Sequence, residues 1–258
     1  MAKTEFPMKN AIGIFDSGVG GFSVFKEVRK KLPHHPIMYF ADQAHVPYGP
    51  RTLEEVLLLS QTITKFLMDL GAELIVIACN AASAVALHRL RENYPHFPFV
   101  GMEPAVKPAV EHTHTGVVGV LATPATFQGK LYNSVVERFA RNVKIYQNTC
   151  PGLVQEIEKG NFAGETTRSI LQQALNPMIE NNIDTVVLGC THYPFVIPLI
   201  KEIVGPNVSV IDPSPAIANQ TLRKVEESSI QENNEKKGGS YLFTSGDSNA
   251  FQEFIESI

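Results

Sequence analysis

The sequence predicts an α/β protein of two pseudo-symmetric, doubly wound domains whose mostly parallel sheets face a central cleft. Three observations carry that expectation. Short apolar runs recur along the chain, β-branched and continuous rather than alternating, as strands buried on both faces require. Helix-patterned stretches separate them, which makes βαβ units. A weak internal repeat relates the two parts of the chain: Glu73-Leu-Ile-Val-Ile-Ala-Cys79-Asn80 resembles Asp184-Thr-Val-Val-Leu-Gly-Cys190-Thr191.

In chain order, Ala11–Phe15 is the first strand and runs into the glycine turn that begins at Asp16. Ile37–Phe40 is the second. A helix over Thr52–Leu70 opens with a capping box, Thr52 followed three residues later by Glu55. The strand Leu74–Ala78 ends at Cys79. In the second part, the strand Val117–Leu121 is followed by helices over Phe127–Ala140 and Thr166–Asn181, and the strand Thr185–Leu188 ends near Cys190. The tail holds a strand at Val208–Ile211, a helix at Pro215–Glu227, a solvated loop at Gln231–Gly239 and a strand at Ser240–Phe243, and is expected to rejoin the first part. The expected domains are therefore 1–98 with 208–258, and 99–207. Ligands of such folds sit at the carboxyl ends of the strands.

Composition narrows the function classes. With 258 residues, 44% hydrophobic and 19% charged, the chain can bury a core without staples and is too apolar for disorder. Its formal net charge of -4 argues against a nucleic-acid partner and leaves a small-molecule substrate. Three cysteines, Cys79, Cys150 and Cys190, cannot build a disulfide framework, and none stands in a CxxC or zinc-ribbon spacing. No run approaches 18 apolar residues and the N-terminal MAKTEFPMKN has no apolar leader segment, so a cytoplasmic protein with no membrane partner is expected. A homodimer is left open.

The residues that carry chemistry fall at strand ends. The turn Asp16-Ser17-Gly18-Val19-Gly20-Gly21 brings backbone N–H groups to a helix N-terminus, an anion-binding arrangement or simply a tight turn. It is neither a Walker loop nor G-x-G-x-x-G. Asp16 inside it suits a proton carrier or an amine partner. Cys79 precedes a helix whose N-terminus favours the thiolate, although an isolated cysteine is more often a small buried hydrophobe. Cys190 holds the same position in the second part, with His192 two residues on to assist its ionisation. His112 and His114 read as a polar turn, Cys150-Pro151 as structural, Tyr48 in Pro47-Tyr48-Gly49 as a core aromatic, and Glu158 as a solvated carboxylate at a helix end.

Together these motifs resemble the glutamate racemases of the aspartate/glutamate racemase superfamily, from Ile12 to about Asp247. The resemblance is carried by D-S-G-V-G-G from Asp16, V-P-Y-G from Val46, C-N-A-A-S-A from Cys79, E-P-A-V-K-P-A from Glu103, G-V-L-A-T-P-A-T from Gly119, C-P-G-L-V-Q-E-I-E-K-G from Cys150, G-C-T-H-Y-P from Gly189 and T-S-G-D from Thr244. It implies a cofactor-independent, two-base racemisation that supplies D-glutamate for peptidoglycan. By the family's pattern Cys79 deprotonates the D-enantiomer and Cys190 the L-enantiomer. Asp16 supports Cys79, and His192 supports Cys190 with Glu158 behind it. Asp16, Ser17, Pro47, Tyr48, Gly49, Asn80, Thr123, Thr126, Thr191 and His192 bind substrate. Ala81 also lies at the substrate, where the family's motif carries a threonine; Gly152 and Gln155 replace larger apolar and proline residues. The alternatives are a racemase of another acidic amino acid such as aspartate, or a catalytically silent acidic amino-acid binding protein.

Overall fold

The computed structural model describes residues 8–103, 105–232 and 238–258. Most of the N-terminal segment MAKTEFPMKN, Pro104 of E-P-A-V-K-P-A, and residues 233–237 of the expected Gln231–Gly239 loop lie outside the described residues. The elements in chain order are β1 (Ala11–Asp16), α1 (Phe22–Lys31), β2 (Ile37–Ala41), α2 (Leu53–Asp69), β3 (Ala72–Ile77), α3 (Asn80–Asn93) and β4 (Phe99–Gly101). There follow α4 (Val106–His112), β5 (Val117–Ala122), α5 (Pro124–Gln128), α6 (Lys130–Phe139), β6 (Lys144–Asn148), α7 (Leu153–Glu158), α8 (Glu165–Glu180) and β7 (Thr185–Gly189). A turn of 3-10 helix (Tyr193–Val196), α9 (Ile197–Val204), β8 (Ser209–Ile211), α10 (Ser214–Glu227), β9 (Ser240–Thr244) and α11 (Ser248–Ser257) complete the chain.

Two sheets result, ordered β4-β3-β1-β2-β9 and β6-β5-β7-β8, and every strand pair in them is parallel. β1 is buried along its whole length because helices cover both faces. Ile12 and Ile14 point into a core with α1, α10 and α11, while Ala11 and Phe15 point into another with α2 and α3. The second sheet is sandwiched the same way, between α7, α8 and α9 on one face and α4 and α6 on the other. The continuous apolar runs thus follow from two-sided burial. Among the described residues, no helix is long and apolar enough to cross a membrane.

The tail divides between the sheets. β9 pairs with β2, returning the chain to the first sheet, but β8 pairs with β7 and is an edge of the second. The strand at Val208–Ile211, expected with the first part, belongs with the second, and β4, which begins at Phe99 where the second part was expected to start, pairs with β3 and belongs with the first. Phe127–Ala140, expected as one helix, is interrupted at Gly129. A Cβ on Gly129 would lie 2.6 Å from that of Ala84 on α3, so the close approach of α3 sets the break. The capping box on α2 forms: Thr52 Oγ1 accepts from Glu55 N at 3.2 Å and Glu55 Oε2 accepts from Thr52 N at 2.9 Å. Such a cap is worth about 1 kcal/mol.

Candidate active site

The carboxyl ends of β1, β3 and β7 meet in one place. Cys79 ends the β3 segment and caps α3. Its Sγ accepts from Ala82 N at 3.5 Å, and the thiol donates to Ser17 Oγ at 3.8 Å. The expected help of the helix terminus is present but outweighed: burial, then the charge of Asp16, pushes the thiol well above its ordinary value. Asp16, fully buried at the end of β1, accepts from Gly18 N and from Thr191 Oγ1, each at 3.0 Å. Burial raises its carboxyl, against the opposing charge of His192.

On the other side, Cys190 follows β7 with its Sγ 3.8 Å from His192 Nδ1. His192 Nε2 lies 2.6 Å from Glu158 Oε1. Burial by itself would lower the imidazolium, but the hydrogen bonds to Cys190 and Glu158 and the charge of Glu158 override it and raise it well above its ordinary value. Burial likewise works to raise the Glu158 carboxyl, and the His192 bond and charge, with the Val19 N–H, hold it below its ordinary value. Glu158 is thus no solvated carboxylate: its side chain is 12% exposed and the helix end that carries it is turned inward.

The glycine turn admits these groups. Val19 N donates to Glu158 Oε1 at 2.8 Å, so the anion held by the turn is a carboxylate from the other half. A Cβ on Gly18 would stand 2.0 Å from Glu158 Oε1, and one on Gly20 2.3 Å from His192 Nδ1. Ser23 Oγ, donating to the Thr191 carbonyl at 3.2 Å, laces the same edge.

A narrow cavity lies between the thiols, lined by Ser17, Pro47, Tyr48, Gly49, Cys79, Asn80, Ala81, Thr123, Cys190, Thr191 and His192, with Val154 added. Asp16 and Glu158 stand behind that wall, and Thr126 supports it through a 3.1 Å hydrogen bond with Thr123. Asn80 is buried with both amide atoms unpartnered, a donor and an acceptor left for a ligand. Tyr48 is more than a core aromatic. Its hydroxyl donates to Asp42 Oδ2 at 2.6 Å, and Asp42 also holds His45 and Ser245. Val154, Asp42 and Gln43 were not singled out in the sequence; their one signal is proximity to the V-P-Y-G and C-P-G-L-V motifs. A larger neighbouring cavity, of about 200 Å3, shares Pro47, Gly49, Thr123 and Val154. Cys150 lies in its wall, buried, its thiol pushed up to about 12. No group of three His, Cys, Asp or Glu among the described residues is arranged to hold a metal ion.

The Asp/Glu/Hydantoin racemase family matches residues 23–221. The glutamate racemase of Herpetosiphon aurantiacus is 45% identical over 96% of this chain and 97% of its own length, and that of a Roseiflexus species 43% identical over 96% and 91%. The crystal structure of glutamate racemase isoform RacE1 from Bacillus anthracis superposes with a TM-score of 0.84 at 31% identity, covering 96% of this chain and 92% of that one. Francisella tularensis glutamate racemase in complex with D-glutamate gives 0.82 at 30% identity, over 96% and 92%. By these likenesses the chain belongs to the Asp/Glu/Hydantoin racemase family, among its glutamate racemases.

Proposed function

We propose that this protein interconverts L- and D-glutamate by passing protons between two thiols and a single α-carbon. The observation that carries the reading is the placement of Cys79 and Cys190 after equivalent strands of two sheets, on one buried cavity. A racemase must perform nearly the same step from two opposed faces, and a pair of similar halves, each with one acid/base group, suits that need.

In the L-to-D direction the Cys190 thiolate takes the α-proton and the Cys79 thiol returns a proton to the opposite face. In the reverse direction the roles exchange. Burial and the charge of Asp16 oppose the Cys79 thiolate, so the positive charge of the substrate's ammonium is what brings it within reach; Cys190 has His192 beside it. Hydrogen bonds aimed at the substrate carboxylate stabilise the carbanion that develops when the α-proton leaves. The unpartnered Asn80 amide and the hydroxyls of Ser17, Thr123 and Thr191 are the groups assigned to that carboxylate and to the α-amino group. Asp16 serves the Cys79 side, and Glu158 acts through His192 on the Cys190 side. The two halves that close on the substrate are the first sheet with its helices, β1 through β4 with α10, β9 and α11, and the second, α4 through β8. The Francisella tularensis relative was solved with D-glutamate and the Escherichia coli one with L-glutamate, which supports both enantiomers as substrates. The reaction belongs in the cytoplasm, where D-glutamate enters peptidoglycan synthesis, and a homodimer is compatible with it.

The test is circular dichroism of L-glutamate and of D-glutamate with purified protein, after dialysis against chelator and hydroxylamine. Both signals should decay to zero. Decay with aspartate only, or none with any acidic amino acid despite measurable binding, would replace this reading by one of the alternatives.

A further inference from the structure

The contacts of Oε1 leave the second oxygen of Glu158 unaccounted for. Oε1 takes both His192 and the Val19 N–H, while Oε2 faces Gln43, whose Nε2 lies 3.4 Å away. Gln43 is itself held. Thr244 Oγ1 lies 2.8 Å from Gln43 Oε1 and accepts from Gly246 N at 3.0 Å. The Thr244 hydroxyl donates to Gln43 Oε1, because the Gln43 NH2 must face the Glu158 carboxylate, which only accepts. The carboxylate assigns the amide: carbonyl to Thr244, NH2 to the carboxylate. A flipped amide would set its carbonyl against a carboxylate oxygen. Gln43 follows β2 and Thr244 ends β9, and these strands are paired with Ala41 beside Thr244. The clamp therefore rides on the first sheet, and the carboxylate it grips comes from α7 in the second half.

We propose that Gln43 is a positioning residue for the Cys190 side of the reaction: clamped by Thr244, its amide holds Glu158 in place against His192. This rests on the racemase reading above. The charged or titratable groups facing His192 and Glu158 are Cys190, Asp16 and Tyr39, and Gln43 is uncharged, so it acts through the carboxylate. The Cys79 side runs through Asp16 and Ser17, and among the described residues no hydrogen bond joins Gln43 to either. T-S-G-D, whose serine bonds Asp42, gains a second role through its threonine.

The experiment compares Gln43→Leu, Thr244→Val, Thr244→Ser and the double variant Gln43→Leu/Thr244→Val. The His192 ring nitrogens are titrated by NMR, with His192→Asn for assignment. In Gln43→Leu the imidazolium should titrate about one pH unit lower, the effect of one hydrogen bond to a charged group. Thr244→Val should move it in the same direction, Thr244→Ser should leave it in place, and the double variant should fall no further than Gln43→Leu, because both changes break one chain of contacts. Chloride release from L-configured threo-3-chloroglutamate, which needs the Cys190 base, should slow about tenfold, and release from the D-configured compound should not. An unmoved His192 titration in Gln43→Leu, equal slowing with both enantiomers, or additive shifts in the double variant would overturn the proposal. The NMR titration needs no turnover, so a wild-type protein that fails to racemise glutamate would overturn the racemase reading and leave the clamp to be judged on the titration.

Discussion

The carboxylate of Glu158 sits inside the glycine turn of the other half, its Oε1 2.8 Å from the amide nitrogen of Val19. The turn therefore serves as a socket across the cleft: Gly18 clears room for Glu158 and Gly20 for His192. The chain of contacts from Cys190 through His192 and Glu158 to Val19 is complete only when the halves are together.

A methyl group at this socket should disable the enzyme without unfolding it. Gly20→Ala would place a Cβ 2.3 Å from the ring nitrogen that faces Cys190, so the imidazole must move. A displacement of about 1 Å costs on the order of a hundredfold in rate. We expect kcat for glutamate to fall by about that factor while the far-UV circular dichroism spectrum is unchanged. Gly18→Ala should act the same way through Glu158. Activity within threefold of wild type in both would show that the socket yields.

The strands were legible in the sequence because burial on both faces leaves a continuous apolar run, as in Thr185–Gly189. β6 was not, since Lys144–Asn148 is a partly exposed edge strand whose pattern resembles a loop. The repeat singled out the two thiols and the short spacing from Cys190 singled out His192, and the structure brings all three to one cavity. Glu158 read as a solvated residue because its position at a helix end is all that local sequence records; Val19 and Gln43, its partners, are separated from it by 139 and 115 residues. The glycines announced that something must come close to the backbone. What comes close belongs to the other half, and no local pattern carries that.

The Glu158–His192 pair predicts a pH window. His192 is raised above its unfolded value of about 6.5, so its contribution to stability is whole below that pH and is lost as pH rises through the folded value. Glu158 is lowered, so its contribution is whole above about pH 4.3 and is lost as pH falls through its folded value. Both contribute fully between about pH 4.3 and 6.5. Glu158→Gln should therefore lower Tm most in that window and less at alkaline pH, where the wild-type imidazolium has also lost its proton. Thermal melts across pH 4–9 check this; a Tm difference that does not vary with pH would contradict the charge assignment.

Tyr48 and Asp42 make a prediction about support. Tyr48→Phe removes the 2.6 Å donor from a buried carboxylate, a loss worth about 1–3 kcal/mol. Tyr48 and its neighbours Pro47 and Gly49 line the cavity, so KM should rise together with the loss of stability. Urea denaturation and steady-state kinetics on the same preparation test both. A stability loss with unchanged KM would confine the network to holding the fold.

Ala81 bears on substrate affinity. It lies in the cavity wall, buried and without a polar atom in its side chain. Ala81→Thr should lower KM for glutamate by about fivefold, since one added hydrogen bond contributes about 1 kcal/mol net. A KM that is unchanged or higher would mean that the hydroxyl finds no substrate atom there, or that the cavity has no room for it.

Cys79 and Cys190 give the sharpest prediction. If each serves one face, replacing either with serine should abolish racemisation, because every turnover needs one to take a proton and the other to give one. The serine hydroxyl is far less acidic than a thiol and cannot supply the anion near neutral pH. Half of the chemistry should survive. With threo-3-chloroglutamate, a thiolate takes the α-proton and chloride leaves with the bonding pair from the β-carbon, so no proton donor is needed on the opposite face. Cys79→Ser should then release chloride only from the L-configured compound, through Cys190, and Cys190→Ser only from the D-configured one, through Cys79. Each surviving half should run within about tenfold of the wild-type elimination rate, because its base and supports are intact: His192 and Glu158 on one side, Asp16 and Ser17 on the other. The same handedness in both variants would mean that the thiols do not oppose each other across the substrate.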